Sequence, residues 1–214
     1  MEWIGHLLSI VLHLDRYLPI FIHAYGRWIY GVLFVILFCE TGLVVAPFLP
    51  GDSLLFVAGA VAASGGMNPL MLFAVLVLAA VAGDSANYWL GGVLGPRIFR
   101  GEDGRFIKRE HLERTRRFYA RHGGKTVVIA RFIPIIRTFA PFVAGIGHMT
   151  YGRFLAYNVL GGVAWVGAFV GGGYFFGGLP VVKENLTAVI LAIVVVSLLP
   201  GMVGYLRHRS QANV

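Results

Sequence analysis

Between Leu186 and Leu206 the chain runs for about 21 residues without a single charge, the length a helix needs to cross a bilayer core. A segment of that kind has one stable environment, a membrane, and the rest of the sequence is read under that constraint. The composition agrees: 57% of residues are hydrophobic and 13% charged, with a mean hydropathy of +0.76, well outside the range of soluble domains. At 214 residues the chain is expected to form a single, all-α integral membrane domain.

A net charge of +8 and a pI near 10.0 raise the question of nucleic acid, which calls for a basic stripe on a soluble face. Here the charge is segregated along the chain instead. Ten of the eighteen Lys and Arg residues lie between Arg97 and Lys125, and Arg207 and Arg209 close the chain. The positive-inside bias puts both groups on the cytoplasmic side, so topology accounts for the basicity and no nucleic-acid partner is expected. The lone cysteine, Cys39, sits in an apolar run, which excludes an intrachain disulfide and a thiolate metal cluster. The first residues carry Glu2, and Asp15 and Arg16 interrupt their apolar stretch. They read as a membrane-surface helix over 1–27 and not as a cleavable signal peptide.

Residues 28–66 are apolar except for Glu40 and Asp52, and they hold the breakers Pro47, Pro50 and Gly51 where a straight crossing helix should have none. A re-entrant hairpin that enters and leaves by one face explains this pattern. Residues 69–96 are a full crossing with Asp84 inside it. The segment 97–125 is basic, with Phe106, Phe118 and Tyr119 spaced along it, which suits either an amphipathic helix on the cytoplasmic surface or a solvated helical loop. Apolar sequence resumes over 126–150, broken by Pro134 and Pro141 and carrying Arg131 and Arg137. It has the design of the first hairpin. Crossings over 151–178 and 185–206 follow, then a cytoplasmic tail, 207–214.

The two breaker regions share a short echo. Pro50 to Gly59 reads PGDSLLFVAG and Arg137 to Gly145 reads RTFAPFVAG, both closing on Phe-Val-Ala-Gly, and each hairpin precedes a Gly-rich crossing. Counting crossings back from the tail opens the two hairpins to opposite faces. That is the inverted repeat of many transporters, with broken helices meeting near the bilayer midplane.

A charge at the bilayer centre costs between about 2.5 and 17 kcal/mol, so buried charges require pairing or a water-filled cavity. Glu40 and Asp52, twelve residues apart, would stand roughly 18 Å apart on a straight helix, and a fold at Pro47–Gly51 brings them closer. A break at Pro134 allows Arg131 and Arg137 to point into one cavity. A guanidinium stays charged and presents a planar fork of donors, so these arginines suit a phosphate group. Burial raises the affinity of Glu40 and Asp52 for protons and facing arginines lower it, which makes them candidate proton carriers. A structural ion-pair network among the four is the alternative. Asp84, with Asn87 and Tyr88 one turn on, reads as a structural hydrogen-bonding node.

Other signals are ordinary. His148 is a helix-end histidine with no second ligand at metal spacing. Gly91-Gly92 and Gly171-Gly172-Gly173 serve close helix packing. Tyr25, Trp28, Trp89 and Tyr205 fit interfacial anchoring.

The stretches FCETGLVVAPFLPGDSLLFVAG (38–59), AGDSANYWLG (82–91) and HGGKTVVIARFIPIIRTFAPFVAGIGHMTYGRFLAYN (122–158) resemble the DedA family of bacterial inner-membrane proteins, nearly from end to end. The resemblance implies a lipid carrier that returns undecaprenyl phosphate across the membrane in dependence on the proton motive force, or scrambles phospholipids as relatives do. The family's essential acidic and basic positions match Glu40, Asp52, Arg131 and Arg137. On this reading the arginines hold the lipid phosphate, Glu40 and Asp52 exchange protons, and Pro47, Pro50, Gly51, Asp84, Pro134 and Pro141 support them. No cofactor or metal is expected, and a homodimer is compatible with the sequence.

Three alternatives stand beside this one. A glycerophospholipid scramblase, for example of phosphatidylethanolamine, would use the same cavity without tight proton coupling. An undecaprenyl pyrophosphate phosphatase would need a nucleophile or metal-bound water beside the arginines, and the second hairpin offers only Thr138. An assembly factor acting indirectly on envelope integrity is the third, and the buried charges argue against it. The sequence is therefore read as a transporter and not as an enzyme.

Overall fold

A computed structural model of the chain describes residues 26–42, 51–98 and 124–180, with Val182, Val189 and Ala192 beyond them. The expected surface helix over 1–27, the breakers Pro47 and Pro50, the basic segment 97–125, the crossing 185–206 and the tail 207–214 lie wholly or mainly outside these residues. Among the described residues there are helices and turns and no strand. In chain order the helices are α1 (Trp28–Gly42), α2 (Gly51–Ala63), α3 (Pro69–Ile98), α4 (Lys125–Ala130), α5 (Pro134–Ile146) and α6 (Tyr151–Phe176).

Two of these helices contain runs long and apolar enough to cross a membrane, Pro69–Leu94 and Tyr151–Phe176, each of 26 residues. At 1.5 Å per residue such a run spans about 39 Å. The other helices, of 15, 13, 6 and 13 residues, are shorter than the roughly 20 residues a crossing requires. Large apolar side chains such as Leu70, Leu78, Trp89, Leu160 and Phe175 are exposed, while Glu40, Asp84, Asn87, Arg131 and Asn158 are buried. That inversion of the soluble pattern suits lipid surroundings, because a water-exposed surface seldom carries so many large apolar side chains.

Local sequence sets the helix ends. The side chain of Asn68 accepts hydrogen bonds from the backbone amides of Leu70 and Met71, both at 3.0 Å, and Pro69 follows it in the first helical position, where a missing N–H costs nothing. Gly65, at φ +83°, stops α2 in the left-handed conformation that glycine tolerates. Pro134 opens α5 after Ile133, which is extended at φ −118° and ψ 106°, as a residue preceding proline prefers. His148 ends the same helix with φ +53°, while the amide of Met149 reaches back to the carbonyl of Ala144 at 3.1 Å.

The chain divides into two compact units. Of the described residues, the first takes those up to Ile36, those within Phe48–Leu76 and those from Trp165 onward, and the second takes those within Leu37–Pro47 and Val77–Ala164. In the first, α2 packs on the later half of α6 at backbone distance. A Cβ on Gly59 would overlap the carbonyl oxygen of Val170 and press the amide of Tyr174 at 3.1 Å, and one on Gly173 would overlap the carbonyl oxygen of Phe56. In the second, α5 packs on α3 in the same way. A Cβ on Gly145 would overlap the carbonyl oxygen of Tyr88 and press the amide of Gly92 at 2.9 Å, and one on Gly91 would overlap that of Phe142. The two Phe-Val-Ala-Gly segments thus make matching contacts, each setting its Phe and Gly against a carbonyl and a glycine three residues apart on a long helix. Small residues are what lets helices in lipid approach this closely.

Replacing Gly91 or Gly173 with alanine is expected to destabilise the protein by about 1–3 kcal/mol, because the intruding methyl meets backbone that has no rotamer to change. Gly171, where an added Cβ would meet nothing within 4 Å, provides the control. Thermal unfolding in detergent should show both losses and none for Gly171→Ala, where alanine's better helix propensity acts unopposed.

Candidate functional site

In the second unit α3 is the scaffold. Asp84, Asn87, Tyr88 and Gly91 fall at intervals of three and four residues and so share one helix face. Asp84, Asn87 and Tyr88 are all buried there, whereas Leu78, Trp89 and Val93 on the remaining circumference are exposed. The polar groups described below are gathered against that stripe.

Arg131 caps the C-terminal end of α4, just before the break that Pro134 imposes. Its Nη2 donates to Asp84 Oδ2 and, at 2.7 Å, to Asn158 Oδ1. Asn158 in turn donates through Nδ2 to the carbonyl of Val81 at 3.0 Å. The guanidinium lies over paired glycines of α6: a Cβ on Gly162 would stand 2.6 Å from Arg131 Nη1, and one on Gly161 would touch its Cδ at 3.7 Å. Gly161-Gly162 therefore makes the notch that seats the cation. Only 5% of Arg131 is exposed, and a charge so enclosed depends on its carboxylate and amide partners.

Arg137, in the first turns of α5, pairs through Nη2 with Glu40 Oε1 on α1. Glu40 is fully buried, and Arg137 is less enclosed than Arg131. Pro141 lies inside α5, one turn after Arg137, and so cannot donate the amide that a helix would normally send to the carbonyl of residue 137. Between the two elements, Asn87 Nδ2 donates to the carbonyls of Thr138, at 2.7 Å, and Thr41, at 3.4 Å. Gly83 makes the neighbouring contact possible, since a Cβ there would overlap Thr41 Oγ1. Tyr88 braces the far end of the stripe, stacking on Phe154 with ring centroids 4.5 Å apart and donating its hydroxyl to the carbonyl of Met149.

Asp52 belongs to the first unit. It stands in the first turn of α2, next to Gly51, and accepts a hydrogen bond from Trp165 Nε1 at 3.0 Å. It is partly exposed. Of the four charges singled out in the sequence, the structure brings Glu40 to Arg137 and gives Arg131 a partner that sequence reasoning did not assign to it, Asp84. Asn158 and Trp165 were missed altogether. The signal for Asn158 was present, because a lone amide inside the apolar run 151–178 must find a polar partner. Among the described residues no group of three His, Cys, Asp or Glu side chains is placed to hold a metal ion.

Chemically, the unit holds two cations against two carboxylates in apolar surroundings, with a backbone break beside each arginine. Such a site can exchange one anion for another. A sequence model of the VTT domain matches residues 49–175. The chain is 50% identical over 214 residues to Protein DedA of Escherichia coli K12, covering 99% of this chain and 98% of that protein. An uncharacterized membrane protein of Mycobacterium tuberculosis H37Rv is 41% identical over 194 residues, covering 88% of this chain and 84% of its own. Inner membrane protein YqjA of Escherichia coli K12 is 34% identical over 185 residues, covering 83% and 82% respectively. No solved structure matches the chain.

Proposed function

The chain belongs to the DedA family of VTT-domain membrane proteins, and from that premise we propose that it carries a lipid phosphate, undecaprenyl phosphate first among candidates, across the bacterial inner membrane at the expense of the proton gradient. The observation that carries the reading is the pair Arg137–Glu40. It joins a permanently charged anion receptor to a group that can be neutralised by one proton, in helices too short to cross a membrane.

The cycle follows from that pairing. With Glu40 ionised, its carboxylate occupies the guanidinium of Arg137. Protonation of Glu40 weakens the pair and leaves Arg137 to a phosphate, which offers oxygens in the same forked geometry. Loss of the proton on the other side returns Glu40 to Arg137 and expels the phosphate. Asp52 serves as a second proton site, Arg131 adds positive potential from its seat between Asp84 and Asn158, and the polyprenyl tail stays in lipid. No covalent step is required, so the protein is a transporter and not an enzyme.

The helix pairs α1–α2 and α4–α5 are re-entrant hairpins on this reading, opening to opposite faces, with the segment 97–125 and the tail 207–214 in the cytoplasm. Their lengths of 15 and 13, and of 6 and 13 residues, support it. Proteoliposomes loaded with a polyprenyl phosphate test the whole proposal. Transport should saturate, accelerate as the pH on the uptake side falls, and resist competition by phosphatidylethanolamine. Equal competition by phosphatidylethanolamine, or release of inorganic phosphate from a polyprenyl pyrophosphate, would replace this reading with a scramblase or an enzyme.

The amides Glu40→Gln and Asp52→Asn sharpen the test. Each resembles the protonated acid in shape and cannot ionise, so both variants should insert and fold yet lose the dependence of transport on external pH. Variants that keep the wild-type pH profile would show that these carboxylates carry no protons.

A further inference from the structure

We infer that Asn87 is a positioning residue that sets the geometry of the Glu40–Arg137 pair by tying together the two backbone segments that carry it; the inference rests on the transport reading above. Asn87 is completely buried in α3. Its one amide nitrogen has two hydrogens, and they go to two carbonyls from different elements: Thr41, the residue after Glu40 on α1, and Thr138, the residue after Arg137 on α5. The two carbonyls are separated by the same 97 residues as Arg137 and Glu40. A single side chain therefore fixes where both members of the pair begin.

The arrangement is not what helix packing alone demands. An asparagine enclosed in an apolar helix is costly unless its polar atoms are used, and a leucine, with the same number of side-chain heavy atoms, would suit an apolar stripe better. Here the nitrogen is used twice while the side-chain oxygen, Oδ1, is buried without a hydrogen-bond partner among the described residues. The unequal use of the two ends of one amide marks the donor as the working end. The unequal lengths, 2.7 Å to Thr138 and 3.4 Å to Thr41, make the α5 side the firmly held one. The tie to α1 is the looser one, on the side where Glu40 must leave and return to Arg137.

Transport of a polyprenyl phosphate in proteoliposomes, measured across a pH series, tests this with three variants. Asn87→Leu removes both donors while keeping the number of side-chain heavy atoms. It should keep the wild-type melting temperature to within a few degrees, raise KM about tenfold, the scale of two modest hydrogen bonds, and move the pH midpoint of transport. Asn87→Asp places an acceptor against two carbonyls, and protonation returns one donor. Relative to wild type at the same pH, its transport should fall at neutral pH and recover on the acid side without a matching change in melting temperature, a profile that a purely architectural role would not produce. Asn87→Ser, too short to span both carbonyls, should behave like Asn87→Leu. If Asn87→Leu fails to fold, the acid recovery of Asn87→Asp decides. Wild-type KM and pH profile in Asn87→Leu, or failure of both variants to fold at any pH, would overturn the positioning role while leaving the transporter in place. A wild-type protein that moves no lipid phosphate would remove the proposed function and this inference with it.

Discussion

Substituting lysine for Arg137 is expected to lower polyprenyl phosphate transport about a hundredfold, although the charge is kept, because a point cation cannot bind a phosphate through two parallel hydrogen bonds. The variant should still fold. Arg137 is less enclosed than Arg131, and a lysine ammonium can reach Glu40 or snorkel toward water. Initial rates in proteoliposomes against lipid concentration, with thermal unfolding of the same preparations, separate lost recognition from lost structure. Full activity in Arg137→Lys would mean that the guanidinium fork is not what receives the phosphate.

The largest loss of stability is expected at the other pair. Asp84→Asn removes the charge that faces Arg131 and leaves a guanidinium that is 5% exposed, and breaking a buried pair from one side typically costs about 3–5 kcal/mol. Asn158 still accepts from Nη2, but an amide oxygen does not offset a whole charge. Replacing both members with leucine should recover much of the deficit, since the cost lies in the orphaned ion and not in the absence of a salt bridge. Thermal unfolding of Asp84→Asn, of the double variant and of Glu40→Gln would rank the three. An Asp84→Asn protein as stable as wild type, beside a collapsed Glu40→Gln protein, would reverse the roles of the two pairs, making Glu40–Arg137 the structural one and Asp84–Arg131 the functional one.

What could be read from the sequence was whatever one segment determines by itself. Apolar length marked the runs now seen as α3 and α6, and Pro134 marked the start of α5, because a missing N–H acts on its own neighbourhood. The echo of Phe-Val-Ala-Gly was visible as letters, and its meaning became clear only when Gly59 and Gly145 were each found against a carbonyl. Pairing was not legible. Asp84 and Arg131 are 47 residues apart, Glu40 and Arg137 97, Asp52 and Trp165 113, and a charge encodes its need for a partner without encoding which one. Asp84 accordingly read as a hydrogen-bonding node with no partner assigned, and the partner is Arg131. Trp165 carried no signal at all, since an indole shows its donor only when something accepts from it.

The glycine contacts have a consequence for how such a chain can drift. When a side chain is enlarged in an ordinary core, a neighbour can be trimmed in compensation, and two wrong residues can become a right pair. Gly91 and Gly145, like Gly59 and Gly173, face peptide carbonyls and amides, which no codon change can make smaller. A lineage that loses one of these glycines has no compensating change available at the contact itself. It must restore the glycine, respace the helix pair or offset the cost elsewhere in the fold, so these four positions act as anchors around which the lipid-facing surface is freer to vary.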